Sequence, residues 1–219
     1  MKLQSLLKKL LIWLTVLSLL FILFLRSVRQ TESEPYLIEP QFLSGWTLHL
    51  EQRYGPEGPL LSLSPPREMT MALFQQIFER TMESLNAPRR YGITLILRSE
   101  YEKFLASTFE PSELLMLAQK SSLEQATLTP TCLAERTAMD TTSPRRTFFV
   151  LFALQEFNVF RQSITQQIPE SLKTDPSFTG AIPAPILFMA ATDGGFQRWP
   201  APHPSPEEDC VAPVTTLTQ

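Results

Sequence analysis

Leu10 to Leu25 forms a long apolar run without a charged residue, and its only polar side chains are Thr15 and Ser18. With the apolar residues just before it, the run reaches about 20 residues. At about 1.5 Å per residue, such a helix spans the roughly 30 Å hydrocarbon core of a bilayer. A buried core helix would carry a polar face, which this run lacks. The pattern therefore predicts a transmembrane anchor over residues 10–26.

A cleaved signal peptide is the alternative interpretation of this run. Cleavage would need small residues after the apolar stretch, whereas RSVRQTES follows it, so we favour an uncleaved anchor. The flank before the run has three lysines and the amino terminus, and the flank after it has two arginines. By the positive-inside rule, we expect residues 1–9 in the cytoplasm and the C-terminal domain outside it.

Short periodic segments follow a linker predicted for residues 27–45. WTLHLEQRY, at 46–54, alternates apolar and polar residues, which predicts a half-buried strand. After the break at GPEGP, LLSLS at 60–64 can pair back on this strand as a hairpin. The segment 64–86 has helical periodicity and predicts an amphipathic helix. Its predicted apolar face consists of Met71, Phe74, Ile77, Phe78, Met82 and Leu85.

Two segments of the chain resemble each other. PRRYGITLILRSEYEKFLAS, at 88–107, aligns without a gap with PRRTFFVLFALQEFNVFRQS, at 144–163. In each, a strongly apolar stretch runs into a glutamate, Glu100 or Glu156, and then into apolar residues at helical spacing. Each copy therefore predicts a turn, a strand buried on both faces, a tight corner and a helix. A glutamate in the first helical turn suits the helix dipole.

The rest of the chain completes a mixed pattern. PSELLMLAQKSS predicts a short helix, ATLTPTCLA is a strand or irregular, and AERTAMDTTSP, at 134–144, is expected to be an exposed loop. PILFMAAT, at 185–192, predicts a last buried strand. Residues 200–219 are rich in proline, so we expect a disordered tail or one wrapped along the surface.

This alternation of strands and helices predicts an α+β fold. We expect the transmembrane helix to be followed by a layered α/β sandwich that forms one extracytoplasmic domain over residues 46–199. The two tandem strand–helix units fit a ferredoxin-like, split β-α-β arrangement.

Composition and charge limit the function classes. A hydrophobic content of 43% and 15 phenylalanines suit a packed core, and 19 prolines indicate linkers and tails. The net charge of −3 is unevenly spread. Residues 1–30 carry +5, so residues 31–219 hold 14 basic and 22 acidic side chains, and 14 − 22 = −8. Because an acidic body is repelled by phosphate backbones, nucleic acid is not an expected partner.

Cys132 and Cys210 bear on the cellular compartment. In an extracytoplasmic domain this pair can form a disulfide, whereas in the cytosol it would stay reduced. Closing a loop of this length would stabilise the fold by roughly 4 kcal/mol in the chain-entropy model. Two unrelated thiols are the alternative.

No motif of a known reaction is present. His49 lies on the polar side of a predicted strand and His203 in the proline-rich tail, and with two distant cysteines they do not suggest a zinc site. The glycine-rich phosphate loops and the nucleophile elbow G-x-S-x-G are absent from the sequence. We therefore expect no metal, no cofactor and no catalytic residue.

Two arginine pairs, Arg89–Arg90 and Arg145–Arg146, each precede a predicted buried strand. If these strands run parallel, the four guanidinium groups gather at one sheet edge, where they suit a carboxylate, a phosphate or anionic lipid headgroups. If the strands run antiparallel, the pairs separate. The alternative is that all four are solvated turn residues paired with local acids.

Three functions follow from these patterns. The leading hypothesis is a single-pass membrane-anchored, extracytoplasmic domain that acts as a protein-interaction or assembly module of the cell envelope. Its expected partners are the lipid bilayer, through residues 10–25, and other membrane or envelope proteins. The alternatives are a small-anion ligand-binding or sensor domain that uses the paired arginines, and a membrane-tethered hydrolase with an unrecognised site.

Overall fold

The computed structural model describes residues 13–22, 34–51, 58–139, 144–173, 175, 178, 185–192 and 204–217. The chain divides into two compact units, Met1–Glu34 and Pro35–Gln219. In the first unit, residues 13–22 form helix α1, and all of its described side chains are exposed. Across the described ranges, no helix combines the length and the apolarity that crossing a bilayer requires. The remainder of the predicted anchor lies outside the described residues, so the transmembrane helix stays a prediction.

The second unit contains one large β-sheet, whose strands all lie within the described ranges. The strands are β1 (Tyr36–Ile38), β2 (Thr47–Leu50), β3 (Pro59–Ser64), β4 (Ile93–Leu97), β5 (Thr129–Met139), β6 (Pro144–Ala153), β7 (Ile186–Ala191) and β8 (Cys210–Thr216). Their spatial order is β1-β8-β5-β6-β7-β4-β3-β2. Only β1 and β8 pair in parallel among these strands. The predicted hairpin is confirmed, because β2 pairs antiparallel with β3.

Helices complete the mixed α+β fold. They are α2 (Arg67–Thr81), α3 (Arg98–Glu100), α4 (Pro111–Lys120), α5 (Gln155–Gln167), α6 (Glu170–Lys173) and α7 (Pro206–Asp209). Helix α3 continues directly into a π-helical turn, Tyr101–Leu105. Leu73 of α2, Leu114 of α4 and Phe157 of α5 belong to one buried core together with residues of the central strands. The α+β class predicted from the sequence is confirmed at this level.

Both tandem segments have the predicted local structure. Strand β4 runs directly into α3, and β6 runs into α5 after one residue. Residues 93–96 and 148–152 are buried, as expected for strands covered on both faces. Strands β4 and β6 point in the same direction, because each is antiparallel to β7, which lies between them. A ferredoxin-like sheet would place these two strands side by side, so that arrangement is not supported.

A buried ion pair joins the two tandem segments. Arg161 of α5 is only 2% exposed, and its guanidinium contacts the Glu100 carboxylate at the end of α3. It also donates a hydrogen bond of 3.3 Å to the carbonyl of Leu95 in β4. The two copies are thus linked by a charge pair as well as by apolar packing.

Several segments predicted to be irregular are ordered. Strand β5 extends through Met139 and so covers much of the loop expected at 134–144. The tail expected to be disordered over 200–219 contains α7 and β8, and β8 lies between β1 and β5 within the sheet. The linker expected at 27–45 contains β1 and a 3-10 turn, Pro40–Leu43. Pairing with distant strands orders these segments, although their local sequences do not favour it.

The sheet is curled. Strands β1 and β2 lie at opposite edges, yet only residues 39–46 connect them. A flat sheet of this size would separate its edges by about 33 Å, at roughly 4.7 Å per strand. The connection, with its 3-10 turn, reaches only about 25 Å. The two edges therefore approach each other, and α2 contacts edge strand β1 as well as β7.

Helix α2 buries a face that overlaps only in part with the predicted one. Its buried residues are Met69, Thr70, Leu73 and Ile77. Of the predicted apolar face, Ile77 is buried and Phe74 and Leu85 are half-buried against the core. Met71, Phe78 and Met82 are exposed, at 58%, 47% and 82%. Because side chains three or four apart share a face, α2 carries two apolar stripes, one in the core and one on the surface.

Candidate functional site

An open groove of about 940 Å³ lies between α2, the end of β2 and the segment that leads into β4. The described residues that line it are His49, Glu51, Ser64, Pro65, Arg67, Thr70, Met71, Phe74, Gln75, Ala87, Pro88, Arg89, Arg90 and Tyr91. We call it the α2 groove. Its volume is at the upper end of the roughly 300–1,000 Å³ that is typical of ligand sites in proteins.

Secondary structure holds both walls of the α2 groove in place. Pro65 and Pro66 end β3 and start α2, so Arg67 and Met71 lie on the first turns of a helix. The opposite segment is held at both ends. Asn86 exchanges two backbone hydrogen bonds with Ala191 of β7, at 2.8 and 3.0 Å, and β4 begins six residues after Ala87. Arg89 and Arg90 are therefore presented from a short, fixed connection.

The described residues on the polar side of the α2 groove carry an excess of positive charge. Arg90 pairs with the Glu51 carboxylate at 3.0 Å, where the side chain of Glu51 is 9% exposed and that of Arg90 is 67% exposed. The Glu51 carbonyl also accepts a hydrogen bond from Arg98. Arg67 and Arg89 are exposed, and no other described residue forms an ion pair with either of them.

The apolar wall of the groove continues along the surface of α2. Met71 and Phe74 line the groove, and Phe78 and Met82 follow at the same helical face. We call these four residues the exposed α2 stripe. From Met71 to Met82 the stripe extends over about 16 Å of helix, at about 1.5 Å per residue.

Met82, at the end of the stripe, has an unusual backbone. Its φ is 53°, in the left-handed region, and its N–H donates a hydrogen bond of 2.9 Å to the Phe78 carbonyl. Glycine is the usual residue at this position after a helix, because a side chain there costs roughly 1–2 kcal/mol. A large apolar side chain is thus held exposed at a position where glycine would be less strained.

The four arginines predicted to bind an anion fall into two surroundings. Arg89 and Arg90 line the α2 groove, whereas Arg145 and Arg146 are not among its described lining residues. Arg146 contacts the carboxylates of Glu135, at 2.7 Å, and of Glu83. These hydrogen bonds, chiefly those to Glu135, raise the pKa of the Arg146 guanidinium above its usual value, although burial opposes the shift. Arg146 is therefore engaged with two acids.

Cys132 and Cys210 are brought together. Cys132 lies in β5 and Cys210 at the start of the neighbouring β8, and they form a disulfide with Cα atoms 5.8 Å apart. Cys132 belongs to a small apolar cluster with Phe149 and Phe188, separate from the main core. The disulfide thus closes a sequence separation of 78 residues.

The described residues offer few groups suited to catalysis or metal binding. His49 contacts the Thr47 hydroxyl at 2.9 Å on edge strand β2. His203 lies outside the described residues. Within the described ranges, no group of three or more His, Cys, Asp or Glu side chains is placed to hold a metal ion.

The sequence of α2 indicates this site, although helical periodicity alone does not show which of its apolar residues are exposed. Helix α2 has more apolar residues than one buried face requires, since Met69, Leu73 and Ile77 already form a complete core stripe. The remaining apolar positions on the helix therefore indicate a second contact surface. No pattern in the sequence marks Arg67, because an isolated arginine in a first helical turn has no distinctive spacing.

Comparison of the chain with family models, with curated proteins and with solved structures finds no match.

Proposed function

We propose that this chain is a single-pass membrane-anchored, extracytoplasmic domain that acts as a protein-interaction or assembly module of the cell envelope. Its docking surface is the α2 groove together with the exposed α2 stripe. Its partner is a segment of another envelope protein that covers the stripe with apolar side chains.

The observation that carries this proposal is the exposure of Met71, Phe78 and Met82 on one face of α2. Contiguous apolar side chains on a surface mark contact sites, whereas single exposed ones are common. The left-handed backbone of Met82 supports the same conclusion. Strained residues persist where the surrounding structure holds them, and they cluster at functional sites.

The anchor and its orientation rest on other support. The uncharged run from Leu10 to Leu25 favours a lipid environment, and the lysines before it favour a cytoplasmic N-terminus. The pairing of Cys132 with Cys210 supports an extracytoplasmic body, since disulfides persist in oxidising compartments.

Site-directed photocrosslinking tests the docking surface. A photoreactive amino acid replaces Phe78 or Met82 in the full-length protein, and native membranes are irradiated. Matched controls carry it at Met116 of α4 or Val159 of α5, which are 51% and 50% exposed. We expect a discrete adduct with an envelope protein from the two α2 positions and none from the controls. Equal adducts from all four positions, or none from α2, would contradict the proposal.

The variant Met82→Gly separates docking from folding. Glycine adopts the left-handed backbone without strain, so the free energy of unfolding should be unchanged or higher. The adduct formed from Phe78 should nevertheless fall about fivefold, as expected when roughly 1 kcal/mol of contact is lost. An unchanged yield would show that Met82 does not contact the partner.

A further inference from the structure

We infer that the α2 groove binds an acidic segment of the partner protein, with carboxylates on Arg67 and Arg89 and apolar side chains on Met71 and Phe74. This inference rests on the proposed function and specifies the chemistry of its partner.

The charge of the groove is opposite to that of the body around it. Among the described residues that line the groove are three arginines and Glu51, which gives 3 − 1 = +2, with His49 counted as neutral. Residues 31–219 as a whole carry 14 − 22 = −8. Because charges are screened beyond about 8 Å at physiological ionic strength, the local charge decides which groups dock. Carboxylates are the groups that complement this surface.

The role of Glu51 is to position Arg90. The Glu51 carboxylate is nearly buried and holds Arg90 at 3.0 Å, while most of the Arg90 side chain stays accessible. A guanidinium group has five N–H donors, so Arg90 can donate hydrogen bonds to a second carboxylate in addition to that of Glu51. Arg67 and Arg89 project from opposite walls of the groove, one from α2 and the other from the segment before β4.

The size and lining of the groove favour a peptide over a small anion. A phosphate ion would contact the arginines and leave Met71 and Phe74 uncovered. The apolar wall also continues to Phe78 and Met82, over about 16 Å of helix. A peptide segment that alternates carboxylates with apolar side chains can pair with the arginines and cover the apolar wall at the same time.

The test measures binding of defined peptides to the full-length protein in detergent micelles. The probe is a labelled peptide of about ten residues with alternating Glu and Leu, long enough to cover the wall when extended. Analogues carry Gln or Lys in place of Glu. We expect the Glu peptide to bind, its affinity to fall with added salt, and the Gln and Lys peptides to bind about tenfold more weakly or worse.

Charge-removing variants locate the binding site. Arg67→Gln and Arg89→Gln should each weaken the Glu peptide about tenfold, because each removes a charged hydrogen bond. The matched control Lys120→Gln, an exposed cation at the end of α4, should change the affinity less than about twofold. The variant Arg145→Gln tests the alternative that both arginine pairs bind one anion, since that hypothesis requires a similar loss of affinity at this position.

Several outcomes would overturn the inference. Equal binding of the Glu and Gln peptides would show that carboxylates are not recognised. Displacement of the Glu peptide by millimolar inorganic phosphate, with loss in Arg145→Gln, would identify a small-anion site. Competition by phosphatidylglycerol, added to the detergent as mixed micelles, would identify a lipid surface. If crosslinking from Phe78 and Met82 succeeds but the peptide test fails, the proposed function stands without this partner chemistry. If crosslinking fails, the function itself is wrong.

Discussion

At the residue level, the pair Arg161–Glu100 places two opposite charges within the core. Arg161 is 2% exposed and the Glu100 side chain 11%, so water screens their charges little. Glu100 comes from the first tandem segment and Arg161 from the second. The position of Glu100 in a first helical turn was predictable, whereas its partner was not, because Leu105 occupies the place of Arg161 in the other copy.

Removing one partner of this pair should destabilise the fold strongly. Arg161→Ala leaves the Glu100 carboxylate without its charged partner, so we expect the free energy of unfolding to fall by about 3–5 kcal/mol. The double variant Glu100→Gln, Arg161→Met removes both charges and should recover most of this loss. Urea unfolding of the three proteins measures the effect. A loss below about 1 kcal/mol for Arg161→Ala would mean that the pair is not buried.

At the scale of elements, β8 shows how a distant partner can order a segment with little local preference for structure. Pro213 cannot donate a backbone hydrogen bond, and Glu207 and Glu208 precede the strand, so the local sequence resembles a tail. Ala212 and Val214 are nevertheless buried.

A charge pair helps to hold β8 in place. Asp209 accepts hydrogen bonds from Arg136 of β5, at 2.7 Å, and from the Ser205 N–H, at 2.8 Å. Burial alone would raise the pKa of the Asp209 carboxyl, but these hydrogen bonds outweigh it and keep the pKa below its usual value. The segment before β8 is therefore fixed to the neighbouring strand β5.

The disulfide should contribute a large share of the stability of this edge of the sheet. Replacing Cys132 and Cys210 together by Ser removes the cross-link that restricts the unfolded chain. We therefore expect the free energy of unfolding to fall by about 4 kcal/mol. Urea unfolding with and without reductant measures the difference. Reductant should destabilise the parent protein and leave the double variant unchanged. An identical midpoint for the oxidised and reduced parent would contradict the prediction.

At the scale of the whole molecule, the acidic body and the apolar N-terminal run make a prediction about location. Leu, Ile, Phe and Val each insert into a bilayer with about −0.3 to −0.6 kcal/mol at the helix centre, so the run from Leu10 to Leu25 favours stable insertion. The full-length protein should therefore remain in the membrane pellet after alkaline carbonate treatment, and deletion of residues 1–30 should release it.

The orientation can be measured on the same membranes. A protease-cleavable tag placed after residue 30 should be cut only from the extracytoplasmic side, because the positive-inside rule predicts that the lysines of the N-terminal flank stay in the cytoplasm. Release of the intact protein by carbonate, or cleavage of the tag from the cytoplasmic side, would remove the basis for an anchored extracytoplasmic module.

The sequence alone predicts the local elements correctly: the β2–β3 hairpin, the helix at α2 and the two tandem strand–helix units. Periodicity, chain breakers and side-chain shape act over a few residues, so they can be recognised without a fold. The sequence also indicates Arg89 and Arg90 as candidate anion-binding residues, and both line the α2 groove.

How these elements combine depends on long-range packing, which local patterns do not specify. The order of the strands, the burial of β8, the pairing of Arg161 with Glu100 and the burial of one of the two apolar stripes of α2 all join residues that are far apart in the chain. Apolar burial has no preferred direction along the sequence, so a helix with two apolar stripes can bury either one. The curled sheet buries Met69, Leu73 and Ile77, and it leaves Met71, Phe78 and Met82 exposed.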